Sequence, residues 1–439
     1  MISPASHASV PDSAIVGTGL GGCPAALGAR DPLGVLDLFS DDFVRDPYPW
    51  LAALRSESPV HHDAATGLWL VSRYDDVRRV LLDAAVFHPD NALRAVTPLP
   101  VAVLRVLARA GFTLPPALAN NGTPSHAGLR RVVTRFFNAE RVTAAVPMIR
   151  RVAEELLERA RSELDATSRC ELFTSFAQVL PCRVLMELLG IDGVAPATLI
   201  RWSDASLELF WGRPALERQL ELAESVGEFH QWLTDTVRGG TAPPSSFVGA
   251  LARHRLPGGE PLDAETAVAA CFFVFIAGQS TTGQLLATVL QRGLTEPGLW
   301  QRVARQTGLA EAWVEEVLRR EPPVTTWRRI TARATEVGGV SLPAGAQLLL
   351  MLQGSGSDPE IFPDPERMRP HRTNIRHHLA FGVGRHRCPG ASLARTEAAV
   401  ALRAAADRLP EVRLEQGGTE SPMLDLLSFR APLRVTVLR

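Results

Sequence analysis

The chain has 439 residues, 46% hydrophobic and 21% charged, with a formal net charge of -1. This describes a globular protein able to bury one large core or two domains, and excludes a disordered tail or a strongly basic nucleic-acid binder. All 46 Lys+Arg positions are arginine, so a Schiff-base aldolase, a pyridoxal enzyme or a phosphate loop closed by its lysine amine is excluded.

In chain order, the first residues mix Ser, Pro, Gly and Ala without a basic start and long apolar run. They read as a loosely held leader, 1–38, with neither signal peptide nor membrane anchor expected, ahead of a single domain over 39–439. Periodicity predicts a helix over 49–56, a hairpin from 59–62 and 69–72, then helices over 74–83, 125–137, 139–166, 170–189, 197–209 and 214–238. The Pro/Gly/Ser-rich pieces at 239–246 and 255–261 are short enough to be interhelical loops. Further helices are predicted over 263–294, 309–320 and 391–408, with strand segments at 329–330, 347–351 and 434–438. The expected fold class is mainly α, a large helical domain with a long central helix and a small β-rich part.

The segment 267–277 is almost entirely apolar, but Gln279, Ser280, Thr281, Thr282 and Gln284 interrupt it before the roughly 18 apolar residues of a membrane span. It reads as a buried helix, capped by Asp263, with a polar notch at its middle. The five cysteines, at 23, 170, 182, 271 and 388, are odd in number and form no CxxC pair. That argues against a disulfide framework or structural zinc, and for a reducing cytoplasm.

The most informative stretch is Phe381-Gly382-Val383-Gly384-Arg385-His386-Arg387-Cys388-Pro389-Gly390, followed at once by a helix. Glycines let the backbone approach something flat and bulky, and a helix start favours thiolate over thiol. A single thiolate with no second cysteine nearby suits the axial position of a heme iron. Here the sequence resembles the cytochrome P450 family, whose heme-binding signature FGxGxHxCxG is matched at every fixed position. The resemblance implies that Cys388 is the proximal thiolate of heme b, that Phe381 and Gly390 pack beside it, and that His386 reaches a heme propionate.

Glu316-Val317-Leu318-Arg319, followed by Pro322-Pro323, resembles the family's ExxR element. The resemblance implies a structural triad of Glu316, Arg319 and Arg367, the last from Pro365-Glu366-Arg367-Met368, where methionine replaces the family's usual phenylalanine. Heme carboxylates need charged partners when partly buried. The resemblance supplies His126 and Arg130, one turn apart, together with Arg329 and His386; strand alternation prefers Arg329 to Arg328.

Ala277-Gly278-Gln279-Ser280-Thr281-Thr282 resembles the family's dioxygen notch, with Ala277 and Gly278 leaving room over the iron and Thr281 bonding back to open the helix. The departure is Ser280, where the family usually carries a carboxylate that relays protons. A hydroxyl passes a proton through water but does not store one near neutral pH, so slower or less coupled turnover is expected, unless the substrate's own polar group substitutes or a radical coupling needs fewer delivered protons. The implied function is a monooxygenase that activates O2 with two externally supplied electrons to hydroxylate, epoxidise or couple a hydrophobic or aromatic small molecule, as in secondary metabolism. No flavin- or ferredoxin-like pattern is present, so electrons are expected from a separate ferredoxin and ferredoxin reductase. Arg130, Arg131, Arg135, Arg385 and Arg387 are expected to form the docking patch on a monomer. The substrate pocket is expected from 91–112, 207–214, Phe273, Ile276, Ala277, 324–327 and 427–429. Two other readings are a peroxygenase, which would work from peroxide without reductant, and a non-enzymatic heme sensor.

Overall fold

The structure, a computed structural model, describes residue 33 and residues 36–240, 242–256, 258–415 and 421–439. Cys23 and nearly all of the expected leader 1–38 lie outside the described residues. The end of that leader is not loose. Leu36 and Leu38 are buried with Phe39 among Leu51, Leu54, Leu349 and Met351, because burying an aliphatic side chain contributes about 1.5–3 kcal/mol.

Helices dominate, as their periodicity predicts. Leu309–Arg320 and Ala391–Arg408 have the expected bounds, and His126–Phe136, Ala139–Thr167, Pro196–Trp211 and Leu216–Arg238 differ only at their ends. The central helix is Ala264–Thr295, and Asp263 caps it by accepting from the Thr266 amide at 2.7 Å. Its length and apolar composition would suffice for a membrane crossing, but most of it is buried inside the protein. It packs on Val179–Leu189, Pro196–Trp211, Leu216–Arg238 and Ala391–Arg408, so it needs apolar residues all round rather than on one stripe.

The predicted helix over 170–189 is corrected. Arg169–Glu171 is a strand, Phe173–Ala177 a π-helical turn, and only Val179–Leu189 is α-helical. The strand forms because Cys170 pairs with Val437 across the sheet. The Glu171 carboxylate then accepts from the amides of Phe173, Thr174 and Val435, which prevents the helix from running through. Val101–Arg109, Phe247–Ala252 and Leu299–Arg305 are short helices that the periodicity does not announce. Phe247–Ala252 and Leu299–Arg305 are too brief for a 3.6-residue period to declare itself, whereas Val101–Arg109 is as long as the predicted helix Tyr74–Leu82 and sequence reasoning simply missed it.

The β-rich part is a five-stranded sheet in the order Val60–Asp63, Leu68–Val71, Gln347–Leu350, Trp327–Thr331 and Phe87–His88. Arg328 lies opposite Leu349 and Arg329 opposite Leu348. Since successive side chains alternate across a sheet, the two arginines point to opposite faces.

Candidate active site

Two loops and the central helix converge on one cavity of about 210 Å³. His126, Arg130, Ala277, Gly278, Thr281, Arg329, Phe381, His386, Cys388 and Gly390 all line it. Ser280 does not. Its hydroxyl turns to the far side of the central helix, 3.3 Å from the Asp204 carboxylate and 3.2 Å from the Gln279 amide oxygen. The predicted pocket walls from Leu207, Trp211, Phe273, Ile276, Ala277, Val324, Trp327 and Phe429 are present, with Leu118 and Ala119 added. Residues 91–112 do not reach the cavity: Phe112 packs instead on Phe210, His230 and Phe272.

The cysteine loop is set by its backbone. The Cys388 amide donates to the Phe381 carbonyl at 2.8 Å, closing the loop. Gly382 and Gly384 take φ of 63° and 74°, a left-handed conformation costly for other residues. At Gly384 an added Cβ would also lie 3.0 Å from the Leu81 carbonyl oxygen. At Gly390 an added Cβ would make ordinary van der Waals contact with Sγ, at 3.9 Å. Burial pushes the Cys388 thiol up, while the Gly390 amide and Arg130, Arg395 and Arg387 pull it down. The helix start thus does not by itself make a thiolate; a coordinated metal deprotonates such a thiol outright.

A buried ionic scaffold holds the loop from behind. Glu316 accepts from Arg319 at 2.8 and 2.9 Å, and both side chains are fully buried. The third arginine is Arg372, not Arg367: Arg372 Nε donates to Glu316 at 3.0 Å, whereas Arg367 is exposed. Arg372 replaces the expected partner because the turn after Pro365 sends the Arg367 side chain outward, leaving its carbonyl to accept from Arg372. Next to this triad, Glu315 bonds His378 at 2.9 Å and Arg395 at 2.6 Å. Burial would raise the Glu315 carboxyl, but these two partners hold it down at about 2. Arg395 then lies over the Phe381 ring, 4.4 Å from its centroid.

On the distal side, the Thr281 hydroxyl donates to the Ala277 carbonyl. This is the back-bond to the carbonyl four residues earlier that a mid-helix threonine commonly makes.

The donor set fits a flat, apolar dianion. Four basic side chains, His126, Arg130, Arg329 and His386, lie at the cavity wall, and no acidic side chain among the described residues lines it. Arg329 is buried, meets no carboxylate among the described residues, and is pulled down to about 10 by burial. His386 Nε2 is buried without a partner among the described residues. Burial, Arg385 and Arg130 pull His126 down to about 4; burial, His126 and Arg329 pull His386 down to about 3. Two carboxylates brought to this wall would oppose each of these shifts, since an opposite charge favours the protonated form. Heme meets these requirements: His126, Arg130, Arg329 and His386 would hold its propionates, the apolar lining would take its ring, and Cys388 would supply a thiolate to its iron.

A family model described as Cytochrome P450 matches residues 215–406. The chain is 34% identical over 391 residues to the cytochrome P450 monooxygenase PikC of Streptomyces venezuelae, covering 88% of this chain and 89% of PikC. The chain belongs to the cytochrome P450 family. This P450 is 30% identical over 389 residues to 6-deoxyerythronolide B hydroxylase of Saccharopolyspora erythraea, covering 87% and 93% of the two chains. Its fold matches the solved structure of cytochrome P450 CREJ in complex with (4-ethylphenyl) dihydrogen phosphate. The TM-score is 0.87 at 27% identity, over 92% of this chain and 99% of that one. The protein is therefore a monooxygenase, an oxidoreductase that uses heme iron and O2.

Sequence reasoning missed Arg372 and Asp204. For Arg372, Glu316 offered no clue to which later arginine would meet it. For Asp204 a signal existed: an acid in Trp202-Ser203-Asp204-Ala205-Ser206-Leu207, a helical stretch otherwise apolar or small, asks for a partner.

Proposed function

We propose that this P450, a single heme domain over 39–439, binds heme b through Cys388 and inserts oxygen into a hydrophobic small molecule, by hydroxylation in the first instance. The observation that carries this reading is one cavity joining the Cys388 loop, the Thr281 notch and an apolar wall of Phe273, Ile276, Val324, Trp327 and Phe429. His126, Arg130, Arg329 and His386 hold the propionates by charge-assisted bonds. Ala277 keeps side-chain bulk off the distal face, Gly278 lets Val179–Leu189 pack close to the central helix, since a Cβ there would lie 3.1 Å from Leu185, and Phe381 and Gly390 shape the proximal face. Bound there, heme iron supplies reductive activation of dioxygen, which consumes two electrons and two protons and places one oxygen atom in the substrate. Thr281 holds a hydroxyl at the distal face, in position to steady a water chain and hand protons on. The aromatic lining excludes bulk water and favours apolar substrates. The test is spectral titration of the ferric protein with an apolar compound panel, followed by product analysis with a ferredoxin, its reductase and NAD(P)H. Substrate-dependent oxygen incorporation is expected, and electron consumption that ignores every bound compound would overturn it.

Replacing Thr281 with alanine should leave heme content unchanged and raise the peroxide released per NAD(P)H several-fold. Product yield equal to that of the parent enzyme would remove Thr281 from proton handling.

Electrons are drawn from a separate, acidic ferredoxin served by its reductase, to a monomeric enzyme in the cytoplasm. The reading is supported by the cysteine-side arginines. Arg130 donates to the Arg387 carbonyl, Arg385 to the Thr123 carbonyl, and Arg131, Arg135, Arg385 and Arg387 are exposed. None of these five arginines pairs with a carboxylate among the described residues. Raising ionic strength from about 0.1 to 1 M shortens the screening length from ~10 to ~3 Å. Stopped-flow reduction by the ferredoxin is expected to slow about tenfold over that range; a salt-independent rate would argue against the patch.

A further inference from the structure

The carboxylate that this P450 lacks at position 280 is present in space, carried by a different helix. Asp204, on Pro196–Trp211, places Oδ1 3.3 Å from the Ser280 hydroxyl, and Gln178 donates to its Oδ2 at 3.1 Å. Asp204 and Ser280 line a second cavity with Gln178, Glu208, Arg213 and Gln284. That cavity is separate from the Cys388 cavity, and Leu207 belongs to both walls. Its outer end reaches half-exposed side chains: Arg213, paired with Asp37, and Glu208, paired with Arg218. The next residue along the central helix from Ser280 is Thr281, inside the Cys388 cavity.

We propose that Asp204, acting through Ser280, supplies protons to the Thr281 notch, replacing the acid that the related motif carries at position 280. The inference rests on the monooxygenase reading. In each delivery the Asp204 carboxylic acid gives its proton to the Ser280 oxygen, and the Ser280 hydroxyl, which faces Asp204 at rest, rotates to release its own proton to water on the Thr281 side of the helix. Asp204 is left as carboxylate and regains a proton from solvent through the second cavity. No electron moves in this step. Asp204 does not line the Cys388 cavity; it is a positioning residue whose effect passes through a serine that cannot store a proton itself.

The electrostatics suit a reversible donor. Burial pushes the Asp204 carboxyl up to about 6, and Glu208 on the same helix adds to this, while the bonds from Ser280 and Gln178 oppose it. Other charged or titratable groups around it are Cys182, from Val179–Leu189, and Arg213 and Asp425 across the cavity. Burial chiefly, with Asp204 adding, pushes the Cys182 thiol up to about 12, so it stays neutral and does not compete. A donor loaded below this range and empty above it makes coupling fall as pH rises through about 6.

The experiment compares the holoenzyme with Asp204→Asn, Asp204→Glu and the double variant Asp204→Asn/Ser280→Asp, using one turned-over compound. Asp204→Asn is expected to lower product per NAD(P)H about threefold to tenfold, to raise peroxide in step, and to flatten the pH dependence near 6. Asp204→Glu should keep most coupling, and the double variant should regain it. Independently of turnover, isotope-edited infrared difference spectra of the resting protein should show a carboxyl band that titrates near pH 6 and vanishes in Asp204→Asn. Unchanged coupling and pH profile in Asp204→Asn, or no such titrating band in the parent, would overturn the proposal. A parent enzyme with no substrate-dependent oxygen incorporation would instead overturn the monooxygenase reading, leaving the infrared titration to judge the Asp204–Ser280 pair alone.

Discussion

Replacing Cys388 with serine should abolish the red-shifted Soret band of the ferrous carbon monoxide form and reduce turnover by at least about a hundredfold. Serine matches cysteine in shape, so the loop itself survives: the bond from the residue 388 amide to Phe381 and the left-handed Gly382 and Gly384 are backbone features. What is lost is the soft, polarizable donor. A hydroxyl is a poor ligand at neutral pH because its deprotonation is far costlier than that of a thiol, and it donates less electron density to iron. Removing even a group that only supports a ligand costs about 10–100-fold, which sets the lower bound for removing the ligand. The measurement is the carbon monoxide difference spectrum at matched protein concentration, with circular dichroism to show that the fold is retained. A variant that keeps the red-shifted band would place the iron ligand elsewhere.

Replacing Arg319 with alanine should cost about 3–5 kcal/mol of folding stability, because it leaves a buried carboxylate without its main partner. Glu316 and Arg319 are 0% and 1% exposed. The Arg319 guanidinium also donates to the carbonyls of Gly356 at 2.6 Å and Pro365 at 2.8 Å, which would be stranded. Arg372 would remain on Glu316 at 3.0 Å and compensate only in part, as would the Arg369 amide at 2.8 Å. Against a typical total of about 5–15 kcal/mol, this is enough to remove most heme-loaded protein from expression at 37 °C. Truncating Arg372 should cost less, about 1.5–3 kcal/mol for a bond to a charged group. Truncating exposed Arg367 should change stability by no more than about 0.5 kcal/mol. Urea unfolding of the three variants reads this order directly, and an Arg367→Ala loss as large as that of Arg319→Ala would contradict a triad completed by Arg372.

Much of the site is legible in the amino-acid sequence because its chemistry depends on contiguous residues. The Phe381–Gly390 loop needs its glycines and cysteine at fixed offsets, and those offsets are sequence. The same holds for Ala277 to Thr281, where a hydroxyl reaches a carbonyl four residues back within one helix. Long helices are legible for a related reason: amphipathic period accumulates over many turns, so it bounds 309–320 and 391–408, while Leu299–Arg305 leaves too few turns to detect.

The chain by itself determined the elements whose interactions are local: the ligand loop, the helix notch, the Asp263 cap and the missing acid at position 280. Tertiary structure alone decided pairings across long sequence separation. It chose Arg372 over Arg367 for Glu316, made Arg169–Glu171 a strand because Val437 came to lie beside it, and turned Ser280 away from the cavity toward Asp204, which lies 76 residues earlier. The physical reason is common to all three. A buried charge or an open strand edge must find a partner, but several candidates satisfy that demand equally in the sequence, and only the packing of apolar faces selects the one that ends within about 3 Å.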